Sequence, residues 1–187
     1  MQWIIYAYTL PAVSLVLVGG LLGNIYGRKG VFLGGLITFA IASVICSLAP
    51  NLNILIAGRF LQGVGAAAFI PNSLFILDKT FGKPKQKTTA IIIWAVVSIL
   101  ALVTSRDFGK LITDILGWRS LFLINLVLVA ISIWLTFRFV KEVVNPNKQK
   151  LNLPSLVLSI ILLTGLTYIL AHDRVLRSPL VLWLLTV

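Results

Sequence analysis

Acidic residues are scarce: five Asp and Glu stand against sixteen Lys and Arg in 187 residues, and charged side chains make up only 11% of the chain. A soluble domain carries nearer a quarter. That shortage, with 59% hydrophobic residues and a mean hydropathy of +1.03, places the chain in a bilayer. Cys46 is the only cysteine and sits inside an apolar run, which excludes an intrachain disulfide and leaves a packing role. His172 is the only histidine; with Asp173 beside it at a helix end it supplies too few ligands for a metal. No Ser-His, Asp-Asp or His-Glu pairing falls at membrane depth, which disfavours an enzyme. The opening MQWIIYAYTL has neither the basic region nor the small-residue cleavage site of a secretory signal, so it is expected to stay in the mature protein. The formal charge of +11 is dispersed over short loops between apolar runs, which argues against nucleic acid as a partner.

What is present is a series of apolar runs, and the reading is all-α, a polytopic membrane helix bundle. The first span covers residues 2 to 23, about 33 Å of helix. Trp3, Tyr6 and Tyr8 mark its outer interface, and Pro11 kinks it near the middle. The second runs from about Gly30 to Ala49, with Gly30 and Gly34 as a small-residue packing face; the third covers about 53 to 77. The fourth begins near Thr89, the fifth covers about 119 to 139, and the sixth about 153 to 171. The apolar stub at 179 to 187 is too short to cross. Residues 140 to 152 form the one polar linker, centred on the turn signal Asn145-Pro146-Asn147, so a boundary is placed between 1–143 and 144–187.

Charge gives the orientation. Arg28, Lys29, Lys79, Lys83, Lys85, Lys87, Arg138, Lys141, Lys148 and Lys150 fall on one side, ten cations in all, against Arg119, Arg174 and Arg177 on the other. The excess makes the first side cytoplasmic and puts Met1 outside. The run from Gly82 to Thr88 lacks the second glycine of a phosphate-binding loop, so no nucleotide site is read there.

Two stretches carry chemistry. In GLLGNIYGRKGVFL, residues 20 to 33, Gly20, Gly23 and Gly27 allow close approach of a neighbouring backbone, and Gly27 can take a left-handed turn. Arg28 and Lys29 then extend to headgroups and hold the loop at the bilayer edge. In LIAGRFLQGVGAAA, residues 55 to 68, Arg59 is a charge inside an apolar helix, with Gln62 three residues on along the same face. Such a residue faces the bundle interior, lining a cavity or binding loose carbonyls of a broken helix.

Both stretches resemble signature motifs of the major facilitator superfamily. Gly20, Leu22, Gly27, Arg28, Lys29 and Leu33 match its loop between the second and third helices, with Asn24 where the family usually has Asp. Arg59, Gln62 and Gly63 match its fourth-helix motif, in which the arginine is implicated in proton coupling. Asp78 reads either as a solvated surface acid or, by the resemblance, as the partner of Arg28. The number of spans is similar to the fourteen-helix branch of drug:proton antiporters, although its Gly-Pro motif is broken at Ser105 and Arg106. Arg106, Asp107 and Lys110 read as interfacial charges, or as a substrate-contacting cluster in which Asp107 and Lys110 pair.

The resemblance implies a partial major facilitator fold: a first half lacking the family's first helix, then a linker helix and the start of another. It implies a secondary active transporter, a fragment, exchanging protons for drug-like or lipophilic cationic compounds across the plasma membrane. No cofactor is expected beyond the proton gradient, and the partners are lipid, a small-molecule substrate, and a missing second half or a second copy. The alternatives are a transporter of a small polar solute, or a truncated fragment that packs and moves nothing.

Overall fold

A computed structural model describes residues 2–140, 142 and 153–172, and among these it contains seven α-helices and no strand. In order they are α1 (Gln2–Ser14), α2 (Val16–Tyr26), α3 (Arg28–Ser47), α4 (Leu52–Thr80), α5 (Pro84–Leu116), α6 (Ser120–Phe139) and α7 (Leu153–His172). Four of them, α3 to α6, are long and apolar enough to cross a membrane, and a fifth crossing results if α1 and α2 count as one broken span. The linker centre, Asp173, Arg174, Arg177 and the apolar stub lie outside the described residues, as does the boundary at 143.

The first span differs most from its sequence reading. It is two helices bent by 45° about Leu15, and it continues to Tyr26. Pro11 has no N–H to give Ala7, which weakens the turn before it. The break falls four residues later because both halves must lie along α4. On α1, the backbone of Tyr8 and Ala12 and the ring of Pro11 crowd the Cα of Gly63; on α2, Gly19 sits against the Ala67 carbonyl. A straight helix would leave α4 after one of these contacts.

Helix α4 is the centre of the bundle and touches α1, α2, α3 and α5. Small residues bring it close to α3: a Cβ on Gly35 would stand 2.9 Å from Gly65 O, and one on Gly65 would stand 2.8 Å from Gly35 O. The packing face of α3 is therefore set by Gly35, Ala42 and Cys46, all buried. Gly30 and Gly34, expected to form it, meet open space. They sit on other faces of the helix, since a step of one residue turns the helix by about 100°.

Helix α5 starts at Pro84, which suits the first helical position, and runs 33 residues with none buried. Arg106, Asp107 and Lys110 are exposed, and Asp107 and Lys110 form no ion pair among the described residues. At one end of the bundle the Gly27 turn meets Val140 and Glu142. At the other, Arg119 donates to Ala49 O at 3.2 Å, joining the turn after α3 to the turn before α6. Asn51 caps α4 there, its side chain accepting from the Ile54 N–H. This alternation of ends is the one that the apolar runs predict.

Candidate functional site

Polar side chains inside an apolar bundle stay only where they find partners, and here they form two clusters on α4. The first begins at Arg59, about 10 Å along the helix from Leu52. Its Nη1 donates to Gln62 Oε1 at 3.3 Å, the Gln62 amide donates to Ser43 Oγ at 2.7 Å, and the Ser43 hydroxyl donates to Phe39 O at 2.8 Å. Gln62 is completely buried, with Cys46 Sγ 3.9 Å from its Oε1. Phe122 and Tyr8 place their rings 5.0 and 5.9 Å from the guanidinium carbon.

Arg59 and Gln62 thus pair as their spacing predicts, and the partner of Arg59 is a side chain, not a loose carbonyl. Tyr8 is turned to Arg59, away from the interfacial role read for it beside Trp3. An arginine at the centre of a membrane helix costs roughly 2.5–3.5 kcal/mol on insertion scales. Two ring contacts, about 0.5–2 kcal/mol each, and the charge-assisted hydrogen bond to Gln62, about 1.5–3 kcal/mol, offset a cost of that order.

The second cluster surrounds the turn after α2. Gly27 joins α2 to α3 by itself, at φ 101° and ψ 136°, a conformation essentially restricted to glycine. The turn aims Arg28 inward, against the expectation that it reaches for headgroups: the side chain is only 5% exposed. Its Nη1 donates to Gly20 O at 2.8 Å and to Asn72 Oδ1 at 3.0 Å, and its Nη2 donates to Asn24 Oδ1. The guanidinium lies 3.7 Å from the centre of the Phe75 ring. A cation in the first turn of a helix is misplaced by about 0.3–1 kcal/mol. Three charge-assisted hydrogen bonds, each worth about 1.5–3 kcal/mol, outweigh that.

Asp78 is not the partner of Arg28. It pairs with Lys87 across the turn between α4 and α5. The amide of Asn72 fills the inner position, because it accepts from Arg28 while donating to Gly19 O at 2.9 Å and Ala68 O at 2.7 Å. A carboxylate has no donors for those two carbonyls. Lys29 also stays within the protein, donating to Val140 O at 2.7 Å. Glu142 Oε1 accepts from the Lys29 N–H at 3.3 Å, so the turn and the end of α6 cap one another. Leu22 is half-buried on α2.

Asn72, Ser43, Phe122 and Glu142 were not singled out by sequence. For Asn72 a signal existed: Gly58, Gly65 and Asn72 recur every seven residues, on one face of α4, and all three are buried. The other three lie on α3, α6 and beyond, and only the fold brings them to these clusters.

A family model described as the Major Facilitator Superfamily matches residues 1–187. The chain is 32% identical over 183 residues to the "Multidrug resistance protein Stp" of Mycobacterium tuberculosis, covering 98% of this chain and 33% of that protein. It is 34% identical over 170 residues to the "Methylenomycin A resistance protein" of Streptomyces coelicolor, 91% of this chain and 36% of that one. It is 36% identical over 172 residues to the "Cephamycin export protein CmcT" of Amycolatopsis lactamdurans, 89% of this chain and 35% of that one. The chain spans about a third of the length of these relatives.

Proposed function

The chain belongs to the major facilitator superfamily, and we propose that it forms part of a proton-coupled exporter of drug-like, lipophilic compounds in the plasma membrane. The observation that carries this reading is Arg59, held at membrane depth by Gln62 and two aromatic rings. A charge kept in such a place at such a cost is a functional group by default. Relatives that cover most of this chain are named for drug resistance or export. In such transporters two halves rock about a site near the midplane, so the partner of this chain is a second six-helix half or a second copy. The Arg28 cluster serves that motion by making α2, α3 and α4 move as one piece. Transport of a small polar solute is the second reading, favoured by Ser105 and Arg106 in place of the antiporter Gly-Pro.

The test is extrusion of a lipophilic dye by cells carrying a transporter that contains residues 1–187. Extrusion should stop when the proton gradient is collapsed, and it should stop in Arg59→Ala although the protein still reaches the membrane. Full gradient-driven extrusion by Arg59→Ala would sink the reading.

A further inference from the structure

The two ends of the Gln62 amide, oxygen and nitrogen, are nearly equal in size, so packing does not tell them apart and only their hydrogen-bond partners do. The oxygen accepts from Arg59 Nη1, and the nitrogen donates to Ser43 Oγ. The Ser43 hydroxyl has one proton, and that proton goes to Phe39 O at 2.8 Å, one turn back on α3. Toward Gln62 it can therefore only accept, which selects the nitrogen end and leaves the oxygen for the guanidinium. Cys46 Sγ, a weak donor 3.9 Å from the same oxygen, agrees with that polarity. Ser43 and Gln62 are both 0% exposed, so water outside the bundle replaces neither partner. Ser43 stands on α3 and Arg59 on α4, two helices brought within reach of each other at Gly35 and Gly65.

We propose that Ser43 is a positioning residue for Arg59: by holding the nitrogen end of Gln62, it keeps the amide oxygen on the guanidinium and so sets where that charge sits. Without Ser43 the buried nitrogen loses its acceptor, a cost that Gln62 relieves by turning away and taking its oxygen from Arg59. The proposal rests on the transporter reading only in making Arg59 the coupling group.

The test uses the 187-residue chain, isotope-labelled in its arginines, in phosphatidylcholine nanodiscs, and reads by NMR how fast the Arg59 guanidinium rotates about its Nε–Cζ bond. The signal lost in Arg59→Lys assigns it. Ser43→Ala should speed that rotation at least about tenfold, since a hydrogen bond to a charged group is lost. Arg28, held by Gly20 O, Asn72 and Asn24, should rotate at its parental rate. Ser43→Ala in a Gln62→Glu background should leave Arg59 unchanged, because a carboxylate offers oxygen at both ends and has no donor for Ser43 to hold. Unchanged rotation of Arg59 in Ser43→Ala would overturn the proposal, and so would equal acceleration in both backgrounds, which would make Ser43 a packing residue. If Ser43→Ala loses its helical circular dichroism, Ser43→Cys, close in size and a weaker acceptor, takes its place in both comparisons. In a transporter that contains residues 1–187, Ser43→Ala should cut gradient-driven dye extrusion at least about tenfold while the protein still reaches the membrane. Full extrusion by Ser43→Ala beside none by Arg59→Ala would overturn this proposal alone. Full extrusion by Arg59→Ala would sink the coupling role alone and leave the effect of Ser43 on rotation standing.

Discussion

Asn72 shows what one side chain must do inside a bundle. It is fully buried and makes three hydrogen bonds, accepting one and donating two. Asn72→Ala should lower stability by about 1–3 kcal/mol, the cost of leaving buried polar groups without partners. Asn72→Asp should not restore the parent: it offers Arg28 a charge but sets an oxygen against the carbonyls of Gly19 and Ala68. Thermal unfolding in detergent reads both, and a melting temperature of Asn72→Asp at or above the parent's would refute this account. Gly23 is a neighbouring case, since an added Cβ would press on Asn72 Oδ1 and lie 2.9 Å from Arg28 Cδ. Gly23→Ala should destabilise by about 1–3 kcal/mol, whereas Gly34→Ala, in open space on α3, should stabilise by about 0.5–1 kcal/mol. If the two substitutions acted alike, close packing would not be the reason for Gly23.

At the scale of elements, the turn after α2 and the end of α6 stabilise each other through Lys29 and Glu142. Lys29→Ala should leave the last turn of α6 frayed, seen as faster hydrogen exchange of residues 136 to 140; Lys85→Ala, exposed near the start of α5, should leave that exchange unchanged. How far sequence reached is visible in these same elements. The apolar runs located α3, α4, α6 and α7 because bilayer thickness fixes their length. The pairing of Arg59 with Gln62 followed from helical spacing alone. The bend at Leu15 did not, since it is set by where α4 lies. Spacing marks Gly30 and Gly34 as the small face of α3, because local spacing cannot say which side a neighbour occupies. The sequence points Arg28 to the headgroups for a similar reason: its acceptor Asn72 is 44 residues away along the chain.

For the whole molecule, the turns at 27 and 81–83 and the end of α6 share one end, and the turns near 49 and 117 share the other. The charge bias predicts that the cationic end is cytoplasmic, so Lys85→Cys in a Cys46→Ser background should resist an impermeant thiol reagent in intact cells, while Asn51→Cys should react. Ready labelling at 85 would reverse the topology. The 187 residues expressed alone should insert, because each helix closes its own backbone hydrogen bonds. On the transporter reading proposed above, they should not move dye in liposomes under a pH gradient, because that motion needs a second half to rock against. Saturable, gradient-driven movement would instead make two copies the working unit.

The single-residue turn at Gly27 also limits how this chain can change in length. Helix α2 is held to α4 through Gly19 and Gly23, and α3 through Gly35, so there is no slack on either side. Deleting Gly27 would force one helix to rotate by about 100° and slide by about 1.5 Å, carrying its glycine off α4. The turn at 81–83 is different: Gly82 stands in open space, and residues added there would loop outward without moving α4 or α5. Tags, epitopes and natural insertions should therefore be accepted at 82 and rejected at 27.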